Sequence, residues 1–206
     1  MIGIIDYGVG NLFSLKSSFA AIGAETFVSG DAVALAQAEK LILPGVGAFG
    51  DAADKLRQTG LDVFVRQQAE QGVPLLGICL GMQLLFEKSQ EYGEHPGLGL
   101  LKGKVVSMAE HLPQGLKIPH MGWNALHLTQ TDSPLFAGIR ERDFVYFVHS
   151  FFARDCDDSL AATTEYGIPI TAAVAKDNIF GCQFHPEKSG AVGRGILEAF
   201  AAMKGV

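Results

Sequence analysis

The segment Val73-Pro-Leu-Leu-Gly-Ile-Cys-Leu-Gly-Met-Gln83 passes from an all-apolar run into a helix-like one, with a cysteine at the junction flanked by Gly77 and Gly81. Val73 to Ile78 reads as a buried strand, and Leu80 to Lys88 continues with helical spacing. A sharp strand-to-helix turn strains the backbone at its apex and brings other chain segments close, so it needs small neighbours. It also lifts the apical side chain off the sheet. Cys79 thus stands where a nucleophile elbow places its reactive group, and helix N–H groups aimed at the sulfur would favour the thiolate. A buried structural cysteine is the alternative, because free Cys is among the most buried residue types.

Outward from this point the same order recurs. Met1 to Asp6 reads as a short buried strand, and Asn11 to Ile22 follows with Leu12, Leu15, Phe19 and Ile22 on one helical face. Lys40 to Pro44 is strand-like and Ala52 to Gln71 helical. Alternating β and α implies a parallel sheet. After Gly103 the character changes to shorter strand candidates at Lys104 to Met108, Trp123 to Leu128, Phe144 to Val148, Leu160 to Glu165 and Ile179 to Phe184. Gly190 to Lys204, with Val192, Ile196, Leu197 and Phe200 on one side, supplies a closing amphipathic helix. The expected class is α/β: a mixed, mostly parallel central sheet flanked by helices, with added antiparallel strands. Residues 1–206 are expected to form one domain, for 206 residues at 48% hydrophobic composition suffice for one sizeable core and show no repeat or low-complexity linker.

Composition narrows the function classes. The formal charge of −6, with no cluster of Lys and Arg, argues against nucleic-acid binding. No apolar stretch approaches the roughly 20 residues of a membrane span, and no basic-then-apolar segment opens the chain, so a cytoplasmic protein is expected. Cys79, Cys156 and Cys182 are an odd, widely spaced set without a C-x-x-C pair, which disfavours both a disulfide framework and a zinc site.

A thiolate nucleophile needs a proton-handling partner, and Gly181-Cys-Gln-Phe-His-Pro-Glu187 offers one at the end of the last strand. Pro186 biases His185 toward an extended conformation, so side chains 185 and 187 fall on one side of the chain. Glu187 can then fix the imidazole tautomer and stabilise the imidazolium, leaving the other ring nitrogen to exchange a proton with sulfur or leaving group. Taken singly, His185 could be a satisfied structural histidine and Glu187 a solvated charge. His95, His111 and His127 lack metal-ligand spacing and read as structural. Cys182 lies within a strand, and the acidic neighbours of Cys156 disfavour a thiolate there. Acyl transfer also needs oxyanion donors. The Leu43-Pro-Gly-Val-Gly-Ala-Phe-Gly50 turn can bring the N–H of Val46 or Gly47 to the elbow, and Leu80 supplies the second amide. A simple strand-to-helix turn or a phosphate-cradling loop is the alternative for that glycine-rich stretch, although the G-x-x-x-x-G-K-S/T pattern is absent.

With cysteine, glycine turn and His-Pro-Glu in this order, the chain resembles class I glutamine amidotransferases over nearly its full length. Within that family, Gly77-Ile-Cys-Leu-Gly-Met-Gln83, Pro119-His-Met-Gly-Trp-Asn124, Phe147-Val-His-Ser-Phe151 and Phe184-His-Pro-Glu-Lys-Ser189 look like the branch that provides the glutaminase subunit of imidazole glycerol phosphate synthase. The opening Asp6-Tyr-Gly-Val-Gly-Asn-Leu12 agrees. The resemblance implies that Cys79 attacks the amide of L-glutamine, releasing ammonia and leaving a glutamyl thioester that water hydrolyses with His185 as acid and base. It implies no cofactor. It further implies that Gln83 and the backbone of His149, Ser150 and Phe151 hold the glutamine, and that a (β/α)₈-barrel cyclase receives the ammonia in a heterodimer within histidine biosynthesis. Met121 and Trp123 are then interface candidates, with Asn11, Asn124 and Lys188 as polar neighbours. A core position is the alternative for Trp123. Two rivals stay open: an amidotransferase serving another acceptor, such as an anthranilate or guanylate pathway, and a non-catalytic module on the same fold.

Overall fold

The computed structural model describes residues 1–204. Its first part alternates strand and helix: β1 (Ile2–Ile5), α1 (Leu12–Ala21), β2 (Thr26–Ser29), α2 (Ala32–Leu35), β3 (Lys40–Leu43), α3 (Phe49–Thr59), α4 (Leu61–Glu70), β4 (Leu75–Ile78) and α5 (Leu80–Leu84). The rest is strand-rich, with β5 (Phe86–Ser89), β6 (His95–Pro96), β7 (Leu101–Ser107), β8 (His120–Ala125), β9 (His127–Leu128) and β10 (Phe144–His149). There follow β11 (Phe151–Arg154), β12 (Leu160–Glu165), β13 (Pro169–Lys176) and β14 (Ile179–Cys182), and α6 (Gly190–Ala202) comes last.

Eight strands form the central sheet in the order β2-β1-β3-β4-β14-β13-β12-β9. The five from β2 to β14 are parallel, and β13, β12 and β9 extend the sheet antiparallel. Strand alternation sends side chains to two cores. Ile4, Ile42 and Leu76 meet Leu15 and Phe19 of α1 and Ile196, Leu197 and Phe200 of α6 on one face. Ile5, Leu41, Leu43 and Leu75 meet Ala52, Leu56, Phe64 and Val65 of α3 and α4 on the other. Each such large aliphatic or aromatic side chain contributes roughly 1.5–3 kcal/mol by leaving water. A four-stranded sheet, β11-β7-β5-β6, and a two-stranded ribbon, β10-β8, complete the architecture. Among the described residues no helix is long and apolar enough to cross a membrane.

The mixed, mostly parallel sheet with antiparallel additions is as the sequence predicts, while several boundaries differ. The helix expected over Ala52 to Gln71 is two helices, because Gly60 takes a left-handed conformation (φ +72°) that closes α3 and opens α4. The helix expected over Leu80 to Lys88 ends at Leu84, and Phe86–Ser89 pairs as β5. The consecutive Leu84, Leu85 and Phe86 satisfy helical and strand burial equally, so periodicity does not separate them. Trp123 to Leu128 divides between β8, which begins at His120, and β9. Strands β2, β6, β11 and β13 have no counterpart in the sequence reading. The alanines of β13 have low strand propensity, and burial between β12 and β14 overrides it.

Adjacent parallel strands end together, and this places the site. Cys182 pairs with Ile78, so the chain leaving β14 toward His185 emerges beside Cys79. Leu43 pairs with Gly77, so the turn after β3 emerges on the other side of the same cysteine. In open parallel sheets, ligands bind outside such carboxyl ends.

Candidate active site

Cys79 occupies the apex of the β4–α5 turn at φ +55°, ψ −112°, a region that non-glycine residues enter only when their surroundings hold them there. The restraints are identifiable. Its N–H donates to the Cys182 carbonyl at 2.7 Å, and its carbonyl accepts from the Gln83 N–H at 3.2 Å. A Cβ on Gly81 would overlap the Leu43 carbonyl oxygen, and one on Gly77 would stand 2.7 Å from the carbonyl oxygen of Gly81 and the backbone of Met82. Both glycines flanking the cysteine are therefore required by close approach. Gly45 is similarly tight, with the Gly81 nitrogen and the Tyr7 hydroxyl 2.9 Å from where its Cβ would lie.

His185 is 3% exposed, and its Nδ1 lies 2.8 Å from Glu187 Oε1, whose side chain is 2% exposed. Cys79 lines the same cavity as the ring. Burial works to depress the His185 pKa. The hydrogen bonds and charges of Cys79 and Glu187 outweigh it and raise the value from 6.5 to about 9. At neutral pH the ring is therefore an imidazolium, able to donate a proton within the cavity. The other thiols are poor candidates: burial pushes both Cys156 and Cys182 up.

A cavity of about 410 Å³ opens over these groups. Cys79, His185, Val46, Gly47, Leu80, Gln83, His149, Ser150, Phe151 and Lys188 all line it. Leu80 is the first residue of α5, so its N–H has no acceptor within the helix. Tyr7 donates its hydroxyl to the Pro44 carbonyl at 2.7 Å and pins the start of the turn that carries Val46 and Gly47 (φ +97°). Gln83 Nε2 donates to the Phe151 carbonyl at 3.1 Å and to Gln183 Oε1 at 2.9 Å.

The remaining expected residues lie elsewhere. Met121 and Trp123 are 65% and 55% exposed, which removes the core alternative for the tryptophan. Asn11 is exposed but caps α1 by accepting the Ser14 N–H at 3.2 Å. Asn124 is half-buried, its amide donating to the Glu165 carbonyl at 2.8 Å and its oxygen accepting the Ala125 N–H at 2.8 Å. Its amide is thus committed within the chain. His111 bonds the Ser107 carbonyl through Nδ1, His127 bonds Glu141, and His95 packs against Gly50.

The family model described as "Glutamine amidotransferase class-I" matches residues 4–202. The chain belongs to the class I glutamine amidotransferase family. It is 51% identical over 203 residues to the imidazole glycerol phosphate synthase subunit HisH of Sulfurimonas denitrificans, covering 97% of each chain. It is 50% identical over 206 residues to the protein of that name from Geobacillus thermodenitrificans, covering 98% of this chain and 96% of that one. Among solved structures, PurLQS from Thermotoga maritima superposes with a TM-score of 0.76 at 22% identity over 97% of this chain and 96% of the other. A glutamine amidotransferase crystal structure gives 0.74 at 22% identity, covering 97% and 98%. These two likenesses establish the fold.

Three residues of this amidotransferase site carry little local signal in the sequence. Gln183 is fully buried, and its Nε2 points at Cys79 Sγ from 3.8 Å; its place two residues before His185 in an extended segment is the one hint. Glu91, which the sequence reading does not single out, lines the cavity and accepts the Phe49 N–H at 2.7 Å, serving the first turn of α3. Burial raises its carboxyl above the usual range. Tyr7 is identified only by the turn it holds.

Proposed function

We propose that this chain is the glutaminase subunit of an imidazole glycerol phosphate synthase and that it hydrolyses L-glutamine through Cys79. The observation that carries the chemistry is the buried line Cys79–His185–Glu187, set on a strained elbow at the carboxyl edge of the sheet. Cys79 Sγ attacks the side-chain amide carbon, forming the C–S bond and moving charge to the amide oxygen. The N–H groups of Leu80 and of Val46 or Gly47 receive that oxyanion. As the tetrahedral centre collapses, the C–N bond breaks and His185 gives its proton to the leaving nitrogen, which departs as ammonia. Water then attacks the thioester, His185 takes its proton, and glutamate leaves as the thiolate re-forms. Glu187 holds the ring throughout. Glu91 is the carboxylate in the cavity wall suited to the α-ammonium of glutamine, while Gln83 and the Ser150–Phe151 backbone grip the rest.

The subunit name shared by relatives at about 50% identity supports a partner subunit that uses the ammonia. The proposed partner is a (β/α)₈-barrel cyclase, docked against the face that exposes Met121 and Trp123 with Lys188 at the cavity mouth. The test is glutamate release by the chain alone and then with a cyclase subunit and its nucleotide ligand. Turnover that rises with the liganded cyclase is expected. A chain that instead binds and serves an anthranilate synthase subunit would overturn the assignment.

A further inference from the structure

His120 and His149 face each other across the β8–β10 ribbon as a directly opposed register pair, 3% and 6% exposed. His120 Nδ1 lies 2.9 Å from His149 Nε2, and His149 Nδ1 lies 2.9 Å from the Phe151 carbonyl oxygen. A carbonyl can only accept, so His149 carries its hydrogen on Nδ1 and its Nε2 is an acceptor. His120 must then donate from Nδ1, which leaves its Nε2 to accept from the Asn124 amide at 3.3 Å. A single assignment of hydrogens satisfies all three bonds. On the far side, Gln83 donates to the same Phe151 carbonyl and to Gln183, and Gln183 reaches Cys79. Two hydrogen-bonded arms, one from strand β8 and one that reaches the nucleophile through Gln83 and Gln183, therefore converge on a single carbonyl in the cavity wall.

Other features bear on what the β8 arm does. The His120 ring is stacked against Phe147 and Tyr166, with centroids 4.8 and 4.2 Å away, which fixes its plane. Burial lowers His120 to about 4 and His149 to about 3, which keeps both rings in the neutral form this arm requires. Apolar residues would fill this space without the desolvation cost of two imidazoles. Alternation along β8 turns His120 and Asn124 inward and Met121 and Trp123 outward, so the strand that bears the exposed tryptophan also holds the first members of this arm.

We propose that His120 is a positioning residue for glutamine hydrolysis: through His149 it fixes the Phe151 carbonyl, and with it the wall against which glutamine lies. The inference rests on the glutaminase reading above. The test compares wild type, His120→Phe and His120→Gln in the synthase complex, measuring kcat and KM for glutamine, Cys79 alkylation by iodoacetamide, and thermal unfolding. Phenylalanine keeps the stacking but cannot donate to His149, whereas the glutamine amide can. The expected result for H120F is a glutamine KM raised about tenfold with kcat within about threefold, alkylation and unfolding near wild type, and recovery of most of the KM in H120Q. An H120F KM within about twofold of wild type would overturn the proposal, as would equal losses in H120F and H120Q. Should H120F fail to fold, ¹⁵N spectra of the wild-type histidines decide. Nδ1–H tautomers on both rings, with His149 shifting as L-glutamate is titrated in, support the relay, and the other tautomer on either ring or an unmoved His149 contradicts it. A wild-type complex without Cys79-dependent turnover would overturn the glutaminase reading itself.

Discussion

Burial alone would leave the His185 ring neutral, and its neighbours Cys79 and Glu187 reverse that, holding it protonated to about pH 9. The sign of the linkage follows. A folded pKa above the ordinary 6.5 stabilises the fold fully below about pH 6.5, and the contribution is lost as pH rises through about 9. Glu187→Gln keeps the shape and removes the charge. Its expected effects are a His185 titration shifted downward in NMR, and a stability deficit against wild type that is present at pH 6 and shrinks by pH 10. Glutamine turnover should fall by ~10²-fold or more. A titration unchanged in the variant would leave Glu187 with a packing role only. At this scale the residues proposed to react are the legible ones: Cys79 and the His185–Glu187 pair stand out by local spacing beside an apolar strand, and the fold brings Cys79 and His185 to one cavity with Glu187 bonded to the ring. Gln183, Glu91 and Tyr7 do not stand out, because they are placed by contacts with segments far away in the chain, and a polar side chain buried by distant neighbours leaves no mark on its own surroundings.

Elements place those residues through how strands end and how closely turns approach. The elbow can form because Gly81 lets α5 meet the Leu43 carbonyl, while Gly60 acts only on its own backbone as the joint between α3 and α4. Gly81→Ala should therefore cost ~2–4 kcal/mol and also impair turnover, since relief of the overlap must move either Cys79 or the turn after β3. Gly60→Ala should cost only ~1–2 kcal/mol, the penalty of a left-handed non-glycine residue, with activity retained. Urea unfolding and glutaminase assays on the two variants check both; equal activity losses would contradict this separation. The alternating β and α segments were legible because each carries one period over a sufficient length. The αL break at Gly60 and the early end of α5 were not, since an isolated glycine is tolerated in helices and a continuous apolar run fits either structure. Neither miss moves the site, because the carboxyl ends of β3, β4 and β14 fix it.

At the scale of the molecule, the parallel strands gather the glycine turn, the cysteine and the histidine at one edge, and the β8–β10 ribbon stands beside that edge with its outer face exposed. Trp123, packed edge-on against Tyr146 yet 55% exposed, is the anchor proposed for the partner. Trp123→Ala should weaken the complex by ~2 kcal/mol or more, about 30-fold, while leaving the unfolding temperature of the isolated chain nearly unchanged; calorimetric titration with the cyclase subunit and a melt of the free chain check this. Unaltered affinity would move the interface elsewhere. The most direct test of the whole account is to trap the covalent intermediate. The synthase complex is mixed with labelled L-glutamine, quenched in acid during turnover, digested, and its peptides are analysed by mass spectrometry. A glutamyl adduct on the peptide containing Cys79, absent from Cys79→Ala together with glutamate release, is the predicted result; label on another residue, or undiminished glutamate release by Cys79→Ala, would contradict it.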